Sequence, residues 1–179
     1  MTIIKPYLTF LTNLILATIG LTTAHFTNWI ILISLLFGLG VPLVNINKPL
    51  KQKLVLTLVS IIASTAIFFV TILTVISFDF DKYIFPGIVV GIAGVLILGI
   101  NGLLIKTIKL NFRTIALTFL LSGLSLPIWV LITENVFPKT YSVIEMVSQD
   151  GVMLFWMTMT TIGICLSIKK ELTVSAINK

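Results

Sequence analysis

Six apolar blocks run Tyr7 to Thr23, Trp29 to Val44, Leu54 to Phe78, Ile84 to Ile105, Thr114 to Thr133 and Val152 to Ile168. None has Asp, Glu, Lys, Arg or His in its central part. A hydrocarbon core of roughly 30 Å takes about 20 residues of helix, or about ten of tilted strand. A spanning backbone must also satisfy its own hydrogen bonds. Blocks of this length therefore predict an all-α, polytopic integral membrane protein with six transmembrane helices, forming a single membrane domain over residues 1–179. The second block is short and the third long, a difference that helix tilt or local bilayer thickness absorbs. Only 10% of the residues are charged, against roughly 25% in soluble domains, so a water-covered surface and a disordered chain are both excluded.

The charges sit between the blocks. Lys5, Lys48, Lys51, Lys53, Lys106, Lys109, Arg113, Lys169, Lys170 and Lys179 fall on one side of the bundle. Lys82 and Lys139 fall on the other, with Asp79, Asp81, Glu134, Glu145 and Asp150. By the positive-inside rule both termini are cytoplasmic, and the expected location is the plasma (inner) membrane. The net charge of +6 is thus a topology signal. Nucleic-acid binding needs a contiguous basic face with stacking aromatics, and here the basic loops meet membrane lipids instead. Thr22-Thr23-Ala24 makes a weak signal-peptide cleavage site, and the first block is read as a retained span because the repeat described next uses it.

Two segments recur in the same order at nearly the same offset. Leu14-Ile15-Leu16-Ala17-Thr18-Ile19-Gly20-Leu21 matches Leu96-Ile97-Leu98-Gly99-Ile100-Asn101-Gly102-Leu103, and Leu35-Leu36-Phe37-Gly38-Leu39-Gly40-Val41-Pro42 matches Leu120-Leu121-Ser122-Gly123-Leu124-Ser125-Leu126-Pro127. Leu and Ile matches are cheap in so apolar a chain; the paired Gly20/Gly102, Gly38/Gly123 and Pro42/Pro127 are not. Three spans per half, over residues 1–80 and 81–170 with a cytoplasmic tail at 171–179, make this a 3+3 inverted-topology repeat. Interruptions at corresponding places in such halves point to a pathway near the pseudo-two-fold axis. Proline removes a backbone donor and frees a carbonyl, and glycine admits a close neighbour. Gly38, Gly40, Pro42, Asn101, Gly123, Ser125 and Pro127 are therefore the expected substrate pathway, and the plain alternative is ordinary helix packing.

Gly87, Gly91 and Gly94 on the fourth span form a notched face for helix packing, within the chain, between copies of a homo-oligomer, or against a membrane-protein partner. Thr57, Ser60, Ser64, Thr71 and Thr74 share a stripe on the third span, and Thr158, Thr161 and Cys165 share one on the sixth. Hydroxyls on such stripes serve either a route or interhelical hydrogen bonds. Residues Asn135 to Asp150 read as a linker or as a short amphipathic segment on the outer surface.

A single cysteine, Cys165, and a single histidine, His25, exclude a disulfide framework and a metal or haem centre built on paired Cys or His ligands. No nucleotide-binding fingerprint is present. No catalytic residue, metal or cofactor is expected, and the spans hold no carboxylate for proton coupling. The resulting expectation is a small permease or channel for a small, uncharged or weakly charged solute. The alternatives are a non-transporting subunit docking a partner through Gly87, Gly91 and Gly94, and an extracytoplasmic enzyme using His25, Asp79, Asp81, Glu134, Glu145 and Asp150.

Overall fold

A computed structural model describes residues 4–27, 29, 31–77, 84–136 and 143–168; the side chains of residue 4, 134–136 and 143–150 are outside the description. Among the described residues the regular elements are six helices: α1 (Ile4–Thr27), α2 (Ile31–Asn45), α3 (Leu50–Ser77), α4 (Ile84–Leu104), α5 (Phe112–Val136) and α6 (Val143–Ser167). Four helices, α1, α3, α4 and α5, are long and apolar enough to cross a membrane. Helix α2 and the 151–167 part of α6 are apolar but shorter.

The local reasons are visible at the helix ends and along their sides. Asn111 starts α5 with a reciprocal cap: its Oδ1 accepts from Thr114 N at 2.8 Å, and its own N–H donates to Thr114 Oγ1 at 3.1 Å, which satisfies two of the donors a helix start leaves open. Pro86 occupies the first turn of α4, where its missing N–H costs nothing. Threonines that face outward, such as Thr18, Thr22 and Thr23, donate to the carbonyl one turn back, so their hydroxyls need no solvent.

Successive helices run antiparallel, each packing on its chain neighbours, and α1 packs on α6 to close a ring. The register is fixed by close contacts. Gly20 of α1 lies against Ile33 of α2, Gly38 of α2 against Ile61 of α3, Gly91 of α4 against Phe119 of α5, and Gly163 of α6 against Thr118 of α5. One end of the bundle, termed proximal, collects the start of α1, the α2–α3 loop, the α4–α5 loop and the end of α6. There Lys109 N donates to Ser167 O at 2.8 Å beside a bridge between Ile108 and Ile168.

The distribution of side chains is the reverse of a soluble protein's. Leu58, Ile62, Val70 and Leu73 of α3, Ile92 and Leu96 of α4, and Leu120, Leu124 and Leu131 of α5 are exposed, while Thr9, Asn13, Ser60, Asn101, Thr118, Ser122 and Thr160 are buried. A surface this apolar on every side suits lipid, and the chain is a membrane protein by the length and composition of four helices. The helices extend past the apolar blocks. Helix α3 begins at Leu50, ahead of Lys51 and Lys53, and α6 begins at Val143, within the stretch read from the sequence as a linker or surface segment.

Candidate functional site

Proline 42 sits inside α2 and has no N–H to give the carbonyl of Gly38, four residues back. That carbonyl is met by another helix: Ser60 Oγ lies 3.3 Å from Gly38 O and 3.3 Å from Asn101 Oδ1. Asn101 is held in place by its own Nδ2, which donates to Ile97 O at 2.9 Å. One hydroxyl proton thus faces two acceptors. Ser64, one turn further along α3, is buried, its hydroxyl has no hydrogen-bond partner, and its Cβ lies 3.1 Å from the position a Cβ on Gly38 would take. Gly38, Ser60, Ser64 and Asn101 together join α2, α3 and α4.

A second polar cluster joins α1, α2 and α6. Asn45 Nδ2 donates to Thr9 Oγ1 at 2.8 Å and to Val41 O at 2.9 Å, and Asn13 Nδ2 donates to Thr161 Oγ1 at 3.0 Å. The carboxamide oxygens of both asparagines have no hydrogen-bond partner. Asn13 Oδ1 rests directly over the Cα of Gly40, so a methyl group there would overlap the carboxamide, whose Cγ is only 2.7 Å from the Cβ position. A third contact joins α5 and α6, where Ser122 and Thr160 share a hydrogen bond of 2.8 Å beneath Gly94 of α4. Apart from Ser64, at the middle of α3, the three clusters lie within about ten residues, or roughly 15 Å, of the proximal helix ends.

Toward the distal end, where Ser34 and Thr71 are buried hydroxyls, the packing is mostly apolar. A crevice of about 210 Å³ is lined by Phe68, Ile72 and Val75 of α3, Val90 of α4, Leu126 of α5 and Trp156 of α6. Phe68 and Trp156 stack across it, ring centroids 6.0 Å apart and 17° from parallel. Trp156 is buried and its indole N–H has no partner. Phe68 stands one turn distal of Ser64, so the crevice ends one turn above the α2–α3–α4 cluster.

The residues expected to line a pathway fall at three places. Gly38, Pro42 and Asn101 meet in the α2–α3–α4 cluster, and Gly40 holds Asn13 in the α1–α2–α6 cluster. Gly123 and Pro127 lie at the crossing of α4 and α5, where Gly123 O sits 2.9 Å from the Cβ position of Gly87 and Pro127 Cγ 3.5 Å from it. Pro127 repeats what Pro42 does. It frees the carbonyl of Gly123, and that carbonyl is turned to the Cα of Gly87 on a neighbouring helix, a weak C–H···O contact. Ser125 donates to Ser122 O within its own helix. The matched glycines have different neighbours: Gly20 meets α2 whereas Gly102 meets Leu110, and Gly38 meets α3 whereas Gly123 meets α4.

Gly87, Gly91 and Gly94 are taken up inside the chain by Gly123, Phe119 and Ser122 of α5. Thr57, Ser60, Ser64 and Thr71 are buried as one stripe, and Thr74 bonds Val70 O of its own helix. Thr161 is buried and Thr158 bonds Leu154 O. The pairings Thr9–Asn45 and Ser122–Thr160 carry no sequence signal beyond small polar residues within apolar blocks. Asp79, Asp81 and the side chains of Glu134, Glu145 and Asp150 lie outside the described residues, and no group of three His, Cys, Asp or Glu that could hold a metal occurs among those described. Comparison with protein-family models, curated proteins and solved structures found no match for the chain.

Proposed function

We propose that this chain is a six-span protein of a bacterial-type plasma membrane, both termini cytoplasmic, acting as a permease or channel for a small, uncharged or weakly charged solute. The observation that carries the reading is an apolar distal crevice ending one turn above the buried side chains of Ser60, Ser64 and Asn101, where the Ser64 hydroxyl has no hydrogen-bond partner. Polar groups buried in a membrane bundle are costly unless paired. A set left partly unpaired, next to a cavity, offers a passing solute partners in place of its water. With the basic loops cytoplasmic, the proximal end is the cytoplasmic one, and the solute meets the apolar crevice from outside and the polar belt before release. The absence of carboxylates along the spans favours a solute without a full charge.

Two features support the inverted repeat as part of this reading. The Gly-x-x-x-Pro device occurs once in each half, at Gly38–Pro42 and Gly123–Pro127, each time aiming a freed carbonyl at a neighbouring helix. The ring is also closed by like crossings, α3 with α4 and α6 with α1. The different neighbours of the matched glycines mean that any two-fold relation holds between helix arrangements and not between individual contacts. Docking a partner through Gly87, Gly91 and Gly94 is less favoured, because α5 already fills those notches.

Reconstituted liposomes test the proposal. Efflux of a panel of small neutral and weakly charged solutes should exceed that of protein-free liposomes and should fall on Gly123→Leu and, with the fold kept, on Asn101→Leu. No flux across the panel, together with a stoichiometric protein companion in mild detergent, would replace the permease with the subunit reading.

A further inference from the structure

Two outer grooves flank the exposed Ile92 and Leu96 of α4 and face the surrounding lipid. The distal crevice is different, because it runs into the bundle. Along α3 its wall passes from Phe68, 2% exposed, to Ile76, 75% exposed, so it opens toward the distal end of α3 and is closed below by the Phe68–Trp156 stack. Among its lining side chains the one hydroxyl, that of Thr71, already donates to Ile67 O at 2.7 Å, and the Trp156 indole N–H is sealed within the packing. The wall is therefore apolar. Water inside would find too few polar partners to stay, and an empty crevice forfeits dispersion contacts along its lining. Hydrocarbon suits the space.

The dimensions narrow the occupant further. From Phe68 to Ile76 is eight residues, or about 12 Å of rise, and the volume is about 210 Å³. The mean cross-section is then about 18 Å², the width of one extended hydrocarbon chain. A helix, about 10–12 Å across with its side chains, is far too wide, which excludes a second copy of this protein or a partner helix. Two hydrocarbon chains side by side do not fit either. The mouth lies at the distal end of α3, a helix long and apolar enough to cross a membrane, and acyl chains are the apolar ligand at hand there. We propose that the distal crevice binds one acyl chain of a phospholipid of the distal leaflet, its headgroup left at the mouth and its methylenes laid between α3, α4 and α6. The site stands apart from the transport reading; a solute that follows that route displaces the chain first.

Trp156 on the wall reports the occupant. With Trp29→Phe and Trp129→Phe the full chain keeps Trp156 as its sole tryptophan, and it is reconstituted in phosphatidylcholine nanodiscs whose acyl chains are either plain or brominated at mid-chain. Bromine quenches indole emission at close range, and Trp156 is only 6% exposed, so lipid that merely surrounds the bundle is a poor quencher. Brominated chains should remove most of the Trp156 emission. Ile72→Phe narrows the crevice midway and Val75→Phe narrows its mouth, and each should return most of what was lost. Emission undimmed by brominated lipid means that no chain enters, and overturns the proposal. So does quenching that neither substitution reduces, since the lipid responsible would lie outside the crevice. Solute flux through liposomes is a separate readout, so either failure leaves the transport reading to its own test.

Discussion

At the scale of single residues, the pairing of a proline with a hydroxyl on the next helix makes a measurable coupling. Ser60→Ala leaves Gly38 O without its donor and should cost about 1 kcal/mol of stability, in line with buried hydrogen bonds in membrane bundles. In a Pro42→Ala background the backbone N–H of residue 42 is available to Gly38 O, so the same Ser60 change should cost markedly less. A double-mutant cycle by reversible unfolding reads the difference, and equal costs in both backgrounds would refute the account of the freed carbonyl. Gly40 offers a second case. Gly40→Ala should destabilise by about 1–3 kcal/mol as an overpacked position, and Asn13→Ala should restore part of that loss. The sequence marked Gly38, Gly40 and Pro42 through the segment that recurs at Gly123, Ser125 and Pro127, and Asn101 as a polar residue within an apolar span. It did not show that Ser60 and Asn13 would be their partners. Which hydroxyl on a stripe reaches across depends on helix rotation and register, and Ser60 is chemically no different from Ser64 or Thr57.

At the scale of helices, glycines divide into those that hold a crossing and those that do not. A Cβ on Gly123 would approach Gly87 O at 2.8 Å, a backbone atom that cannot swing away, whereas a Cβ on Gly99 meets nothing within 4 Å. Gly123→Ala should therefore separate α4 from α5 and cost about 1–3 kcal/mol. Gly99→Ala should be neutral or stabilising by up to about 1 kcal/mol, the helix propensity gained. Parallel melts of the two variants check this, and a similar loss in both would mean that the crossing is not glycine-dependent. Helix existence was legible because runs of apolar residues without charges have few other stable forms in lipid. Helix ends were less so. Lys51 and Lys53 lie outside the apolar block but inside α3, because a helix continues into the interfacial zone for as long as its side chains reach water. The glycines of α4 could be recognised as a packing face from their spacing, but their partner, α5, could not.

At the scale of the whole molecule the question is whether all six helices cross. Helix α2 has 15 residues, about 22 Å of rise, short of a hydrocarbon core of roughly 30 Å. Its register on α1 argues that it crosses nonetheless, since it runs antiparallel from Ile33 beside Gly20 to Asn45 beside Thr9. A helix so placed can be accommodated by a thinned bilayer, at a modest cost per ångström. The charge pattern agrees, because Lys48, Lys51 and Lys53 follow α2 directly and share a bundle end with Lys106 and Lys109. Single cysteines in a Cys165→Ala background decide the matter. Trp29→Cys, at an exposed position between α1 and α2, should react with a membrane-impermeant thiol reagent applied to intact cells. Cysteines at the exposed positions Asn47 and Lys106 should react only after permeabilisation. If Trp29→Cys and Asn47→Cys label from the same side, α2 turns back within the membrane. The count of spans is then odd, the two halves no longer oppose each other, and a route between them loses its geometric basis.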